Sequence, residues 1–182
     1  MEQDLNRESI ERIIKMLTHA VSHDETRHQL GNVQIVKVND EQVLLSACDG
    51  HILSDVKLTD QALATASPCY IHRDQLAYLK LTFKDLGRHM LSLGVEVSQG
   101  KVTVNGREIT NDCTSYPNLA QLRPSFEPSY TVGLNCELLL DLCKSLNGTK
   151  SQIVKLEFNK DNISPIKVTA NGNSGVLMPC RV

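Results

Sequence analysis

The stretch Gln42-Val-Leu-Leu-Ser-Ala-Cys-Asp-Gly-His-Ile-Leu-Ser-Asp-Val-Lys-Leu58 reads as two strands joined by a tight turn. Apolar residues recur on both sides of Asp49-Gly50 in the short runs that are typical of strands. Asp-Gly tolerates the positive φ angles that tight hairpin turns require. The sequence therefore predicts antiparallel strands over 42–48 and 51–58.

Working outward, a third strand is predicted over 33–38, joined to the first of the pair by the turn dipeptide Asn39-Asp40. Before it, apolar residues recur at helical spacing after Asn6, which is a suitable helix cap; they are Ile10, Ile13, Ile14, Leu17 and Val21. Residues 1–60 thus form one unit, a helix followed by three antiparallel strands. The residues before this helix show no convincing strand.

The same pattern occurs again over 64–113. Its helix is indicated by Leu76, Leu79, Phe83 and Leu86. Its three strands are predicted over 91–97, 101–104 and 107–110, separated by the turn dipeptides Gln99-Gly100 and Asn105-Gly106.

A third unit is predicted over 130–182, with a helix marked by Leu139, Leu142 and Leu146, capped by Asn135 and stopped by Gly148. Its strands are predicted over 153–158, 166–170 and 176–181, with turns at 159–162 and 171–175. A stretch with three prolines, from Tyr116 to Pro128, precedes this unit. Because proline cannot donate to a sheet ladder, this stretch is predicted to be a linker.

Composition limits the classes of protein to which the chain can belong. Of 182 residues, 41% are hydrophobic and 4% aromatic, so a core of Leu, Ile and Val is expected. The charges nearly balance, at 19 basic and 21 acidic residues. This balance argues against binding of nucleic acid over the whole protein surface, but it is compatible with a local basic stripe.

The six cysteines show no C-x-x-C spacing and lie in apolar runs, which favours reduced thiols and a cytoplasmic location, without a metal site or cofactor. The polar N-terminus is not typical of a signal peptide, and no apolar run is long enough to span a membrane. Asp49 beside His51 invites a catalytic interpretation. The sequence nevertheless contains no nucleophile motif and no phosphate-binding loop, so we expect no enzyme activity.

Four stretches, in this order, resemble the bacterial DNA sliding clamps, the DNA polymerase III beta subunit family. Asp24-Glu-Thr-Arg-His-Gln-Leu-Gly-Asn-Val33 is similar to the segment after the first helix of that family's middle domain. Ser46-Ala-Cys-Asp-Gly-His-Ile-Leu53 resembles its T-D-G-H-R-L turn, and Asp112-Cys-Thr-Ser-Tyr-Pro-Asn-Leu119 resembles the F-P-D/N stretch where that domain ends. Val176-Leu-Met-Pro-Cys-Arg-Val182 resembles the C-terminal V-x-M-P-M-R-L.

The resemblance implies an α+β DNA-clamp fold in which helix-plus-antiparallel-sheet half-domains are repeated three times. Residues 1–122 resemble the entire middle domain, 123–129 form a linker, and 130–182 resemble the second half of the third domain. The family's first domain and the first half of its third domain have no counterpart here.

The resemblance also implies a pocket for short linear motifs of the Q-L-x-L-F type, carried by DNA polymerase and other clamp-binding proteins. An apolar concave site with a few polar groups suits such leucine and phenylalanine anchors. The residues carried over are Leu30, Cys48, Gly50, His51, Leu53, Pro117, Gln121, Leu122, Asn135, Leu138, Ile163, Val176, Leu177, Met178, Pro179 and Arg181.

Three residues depart from the family pattern: Ile52 and Gln121 replace arginines, and Cys180 replaces a methionine. These differences make the predicted pocket more apolar and less able to pair with acidic peptide flanks. From periodicity alone, Val176–Met178 would be ordinary core-strand residues, and Asp49-Gly50 would be only a hairpin turn.

Clamp helices contact double-stranded DNA through phosphates, independently of sequence. The corresponding candidates are Arg12, Lys15, Arg27, Arg73, Lys80 and Lys84, although such charges also suit a simple solvated face.

Because complete rings of this family contain twelve half-units and this chain supplies three, we expect a homo-oligomer, for example one in which the last units of two chains pair. A monomer with that unit folded back is the alternative. Two functions remain open: a processivity factor on DNA, and a non-ring binding module that acts as a decoy or regulator of clamp partners.

Overall fold

The computed structural model describes residues 2–87, 91–129, 131–146, 153–161 and 163–181. The chain divides into two compact units, Met1–Pro124 and Ser125–Val182. Each is built from helices and antiparallel sheets, so the predicted α+β class with repeated helix-plus-sheet half-domains is confirmed. In the part of the chain that is described, no helix is long and apolar enough to cross a membrane.

The first unit contains two repeats of one strand, one helix and three further strands. The first repeat comprises β1 (Glu2–Asn6), α1 (Arg7–His19), β2 (Asn32–Lys37), β3 (Gln42–Cys48) and β4 (Leu53–Thr59). A short helix, α2 (Gln61–Ala66), leads to the second repeat. That repeat comprises β5 (Cys69–His72), α3 (Leu76–Asp85), β6 (Ser92–Ser98), β7 (Lys101–Val104) and β8 (Arg107–Glu108).

The two repeats exchange their first strands. One sheet has the order β4-β3-β2-β5 and the other β1-β6-β7-β8, so each contains one strand from the opposite repeat. Leu5 of β1 lies opposite Leu93, and Ile71 of β5 lies opposite Val33. The expectation that no strand precedes the first helix is therefore wrong, because β1 is stabilised by a partner far away in the sequence.

Local chemistry explains where these elements begin and turn. The Asn6 side chain accepts a hydrogen bond from the Ser9 amide at 2.8 Å and so caps α1 as predicted. Asn105 and Gly106 both have positive φ, which asparagine and glycine tolerate in a tight hairpin. The sheets and helices enclose a single core that includes Leu5, Ile13 and Leu79.

The second unit contains one repeat: α4 (Cys136–Leu146), β9 (Lys155–Glu157), β10 (Ile166–Ala170) and β11 (Asn173–Leu177). Its sheet order is β11-β10-β9, and its core includes Leu146, Ile166 and Leu177. As predicted, Asn135 caps α4 by accepting from the Glu137 amide at 2.9 Å. The predicted helix stop at Gly148 lies outside the described residues.

The last strand departs from its predicted bounds of 176–181. The turn consists of Asn171 and Gly172, both with positive φ, and β11 begins immediately afterwards. Gly175, which was predicted in the turn, lies within the strand. A Cβ at this position would come within 2.7 Å of a Leu142 methyl carbon, so glycine allows α4 to pack closely on the sheet.

Candidate functional site

The β3–β4 hairpin holds four of the predicted peptide-binding residues on one turn. Cys48 is buried at the end of β3, and its sulfur accepts a hydrogen bond from the Gly50 amide at 3.3 Å. Gly50 has φ 97°, and His51 is exposed. Leu53 begins β4, lies opposite Cys48 and is half-buried.

Asp49 fixes the shape of this turn. Its Oδ1 accepts from the His51 amide at 2.7 Å and from the Ile52 amide at 2.8 Å. The Ile52 amide, followed by that of His51, lowers the pKa of the Asp49 carboxyl from its ordinary value. Asp49 therefore has a structural role, and this accounts for the Asp49–His51 pairing that resembled a catalytic arrangement.

Arg27 lies against the same turn. A Cβ at Gly50 would come within 2.7 Å of Arg27 Nη1, the end of a flexible side chain that can move, so the positive φ angle is what favours glycine there. Arg27 also forms an ion pair with Asp24 at 3.7 Å. Arg27 and Asp24 line a surface cleft of about 330 Å³ together with His23 and His51.

The segment that follows β8 is fastened to the β2–β3 face. The hydroxyl of the half-buried Tyr116 donates to the Asn32 carbonyl at 3.1 Å, and partial burial raises the pKa of this phenol. Arg123 donates to Asp55 through Nε at 2.8 Å and through Nη2 at 2.9 Å, which is a bidentate pair. The Ser46 hydroxyl also donates to Asp55 at 2.6 Å.

Between these two anchors lie three predicted pocket residues. Pro117 is half-buried, whereas Gln121 and Leu122 are exposed on a 3-10 helix over Leu119–Leu122. Pro117 lines a second cleft, of about 230 Å³, that sequence reasoning missed. Its other walls are Gln34, Val36, Leu44, Ser46, Asn118, Leu119, Ala120 and Arg123.

The remaining predicted residue of the first unit, Leu30, is half-buried at the end of a 3-10 helix over Glu25–Gly31. Its carbonyl accepts from the Ser22 amide at 2.9 Å. Nothing in the sequence pointed to the Arg123–Asp55 pair, because its members are 68 positions apart.

In the second unit, most of the predicted residues are on the surface. Gly175 and Leu177 face α4, so the alternation of β11 directs Val176 to the opposite face of the sheet. Val176, Met178 and Ile163 are exposed apolar residues. Asn135, Leu138 and Arg181 are also exposed, and Pro179 is half-buried.

Leu177 differs from its neighbours because its side chain is buried in the core of the second unit. It packs between β11 and the core, and its predicted place in the pocket stays a prediction. His51 lines one cleft of the first unit and Pro117 lines another.

Most of the predicted DNA-contacting cations have partners. Arg12 pairs with Glu8 at 3.7 Å, Lys15 pairs with Glu11 at 3.1 Å, and Arg27 pairs with Asp24. The Arg73 guanidinium donates to the Ser22 carbonyl at 3.1 Å. Lys80 and Lys84 are exposed on α3 and form no ion pair within the described ranges. The described side chains form no cluster of His, Cys, Asp or Glu that could hold a metal ion.

At the sequence level, the chain matches no protein-family model and no curated protein. Solved structures of similar fold include the DNA polymerase sliding clamp of Bacillus subtilis, with a TM-score of 0.73 and 19% identity, covering 98% of this chain and 49% of that one. The DNA polymerase III beta chain of Streptococcus pneumoniae gives a TM-score of 0.68 and 17% identity, covering 100% and 50%.

A third structure, the sliding clamp of Bartonella birtlesii bound to griselimycin, gives a TM-score of 0.54 and 17% identity, covering 100% of this chain and 66% of that one. The chain thus spans about half the length of the first two clamps. At these identities the likeness establishes the fold, so the predicted DNA-clamp fold is confirmed.

Proposed function

We propose that this chain is a non-catalytic, sliding-clamp-like protein of DNA replication that binds short linear peptides of a DNA polymerase and other partners. The clamp fold supports the general role. The peptide site is supported by exposed apolar residues among those that the resemblance carried over, for example Leu122, Val176 and Met178.

The observation that carries the proposal is that apolar side chains remain exposed on anchored backbone. Leu122 is 55% exposed, yet the next residue is the bidentate partner of Asp55. Val176 and Met178 are exposed at the end of a strand whose opposite face is core. Anchored backbone limits the conformational entropy lost on binding, which favours association with a short ligand.

The chemistry matches a peptide with leucine and phenylalanine anchors. Leucine, valine and methionine side chains offer apolar contact, and methionine adapts to peptides of different sequence. In the first unit, the turn around Asp49 presents His51 as an exposed polar group. A few polar groups next to an apolar surface fix the orientation of a bound peptide.

The test is fluorescence anisotropy with a labelled Q-L-x-L-F peptide. Leu122→Ala and Met178→Ala are each expected to raise the Kd about five- to tenfold, because each removes apolar contact worth about 1 kcal/mol. Leu81→Ala is the matched control: Leu81 is 61% exposed on α3 and lies outside the predicted site, so its Kd should not change.

Absence of peptide binding by the unchanged protein would overturn this proposal. An equal loss of affinity in Leu81→Ala would also count against it, because the effect would then not be specific to the site.

The non-ring alternative, a decoy or regulator of clamp partners, is favoured by one observation. Arg12, Lys15, Arg27 and Arg73 already have protein partners, so the helices offer duplex DNA few unpaired cations. Peptide binding without DNA binding is the outcome that this alternative predicts.

A further inference from the structure

The three repeats share one plan around the start of each helix. The pairs Leu5-Asn6, Ile71-His72 and Leu134-Asn135 each lie immediately before a helical segment. In this alignment Ile10 corresponds to Leu76 and Leu139, Ile13 to Leu79 and Leu142, and Leu17 to Phe83 and Leu146. The first two repeats therefore show how the third could be completed.

In the first unit, each repeat completes the other through reciprocal contacts. Besides the strand pairs β1–β6 and β5–β2, two arginines at matching positions reach across. Arg7 Nη1 donates to the Gly87 carbonyl at 2.6 Å, just after α3, and Arg73 Nη1 donates to the Ser22 carbonyl at 3.1 Å, just after α1. Two repeats of one plan thus form an approximately two-fold pair.

In the third repeat, the segment before α4 (residues 131–134) is held by the same type of backbone hydrogen bond that holds β5. In the second repeat, the Asn111 amide donates to the Tyr70 carbonyl at 2.8 Å. In the third, the Cys180 amide donates to the Gly133 carbonyl, also at 2.8 Å. Backbone amide and carbonyl groups alternate between the two edges of a strand. Those of Val132 and Leu134 therefore point away from Cys180, towards the free edge.

On the other side of the same repeat, one edge strand has a single neighbouring strand within the described residues. In the first unit β2 pairs with both β3 and β5, and β6 pairs with both β7 and β1. Their counterpart β9 pairs with β10 alone among the strands that the structure describes. The repeat therefore offers both a donor segment and an acceptor edge.

Residues on α4 are more exposed than their counterparts on α1 and α3. Ser9 of α1 is fully buried, whereas its counterpart Leu138 is 56% exposed. Met16 and Thr82 are buried, whereas their counterpart Ser145 is exposed. Since α1 and α3 contact each other, the helix face that one repeat turns towards the next is exposed on α4.

We propose that the second unit is completed by the second unit of another copy of this chain. Residues 132–134 of one protomer add antiparallel to β9 of the other, with Leu134 opposite Val154, and the two α4 helices pack together as α1 and α3 do. The partner is a second copy, because the same unit carries both the segment that is donated and the strand edge that accepts it. A two-fold interface requires that both complementary parts lie on each protomer. This inference does not rest on the proposed function.

The charges permit this pairing. Residues 131–134 are uncharged, and the charged residues of β9, Lys155 and Glu157, pair with each other at 2.9 Å. One difference from the first unit is that Cys136 occupies the position of Arg7 and Arg73. The reciprocal arginine contacts are therefore missing, and the interface depends on strand pairing and apolar packing.

Sedimentation velocity over a wide concentration range tests this proposal, with the full chain expected to form a reversible dimer. Val132→Pro removes an amide from the free edge and should raise the dimer Kd at least tenfold. Thr131→Pro is the matched control, because the alternation directs that amide to the opposite edge, and it should leave the Kd unchanged. Circular dichroism checks that each variant is folded.

A second pair of variants tests the helix face without altering the core. Ser145→Arg places a charge where the two helices should meet, and it should dissociate the dimer. Leu140→Arg adds the same charge at another exposed position, the counterpart of Glu11, and should leave the dimer intact. Three results would overturn the proposal: a monomeric wild-type chain, a dimer that persists in Ser145→Arg, or a dimer that dissociates in Leu140→Arg. A monomeric wild type would indicate that a different protein covers this surface.

Discussion

At the scale of single residues, Arg123 fastens the segment after β8 to the first unit. Asp55 accepts two hydrogen bonds from its guanidinium and one from the Ser46 hydroxyl. Arg123 first, and Ser46 after it, lower the pKa of Asp55 from its ordinary value of 3.8. About one third of each charged side chain remains exposed, so solvent screening limits the energy of the pair.

We expect Asp55→Asn to lower the free energy of unfolding by about 1 kcal/mol at neutral pH. Because folding lowers the pKa of Asp55, its stabilisation is fully present above the ordinary value of 3.8 and is lost as the pH falls through the folded value. Urea denaturation at neutral and acidic pH should therefore show the difference between wild type and variant disappearing in acid.

Asp40→Asn provides the control for this measurement. Asp40 also forms an ion pair, with Lys37 at 2.7 Å, but its side chain is 93% exposed. We expect little change in stability from this substitution. A loss as large as that of Asp55→Asn would mean that the bidentate geometry contributes nothing particular.

At the scale of elements, one buried carboxylate joins the starts of two helices. Asp60 Oδ1 accepts from the Leu63 amide at 3.0 Å and caps α2, and Oδ2 accepts from the Asn6 amide at 3.1 Å. Asp60 is only 3% exposed. The N-terminal strand β1, the helix α1 and the connection between the two repeats therefore depend on the same side chain.

Asp60→Ala is expected to destabilise the protein by about 2–4 kcal/mol, because it removes a helix cap and leaves two donors without acceptors. Asp60→Asn keeps one acceptor oxygen and should cost about half as much. Denaturant unfolding measures both losses. Asp24→Ala, which removes an exposed cap of a 3-10 helix, is the comparison, and an equal loss there would contradict the role of burial.

At the scale of the whole molecule, the open question is whether the chain contacts duplex DNA. If it does, Lys80 and Lys84 are the cations without an ion pair in the described part of α3. Replacing both with glutamine should weaken binding and make the salt dependence shallower by about two units of log–log slope. Fluorescence titration of a labelled duplex at several salt concentrations measures both effects.

The matched control is the pair Lys155→Gln and Lys167→Gln, which removes equal charge from the sheet of the second unit. Its affinity for DNA should fall less than that of the α3 variant. Absence of salt-dependent binding by the wild type at low ionic strength would rule out DNA contact and leave the peptide-binding module.

The sequence by itself determined the elements that depend on local chemistry. Turn dipeptides such as Asn105-Gly106 and helix caps such as Asn6 and Asn135 act within a few residues of their own positions. Apolar spacing predicted α1, α3 and α4, because the buried face of a helix shows as apolar residues recurring at the helical period. The resemblance of four motifs to sliding clamps added the fold, which the solved structures confirm.

Only the tertiary structure decided which strands pair and which surfaces remain exposed. The strands β1 and β5 are short and have no local signal, and each is stabilised by a strand of the opposite repeat. Gly175 belongs to a strand, not a turn, because α4 packs against it. Pairing between distant segments depends on contacts that form only once the chain has folded, so the exchange of first strands that completes the repeats of the first unit could not be read from the sequence.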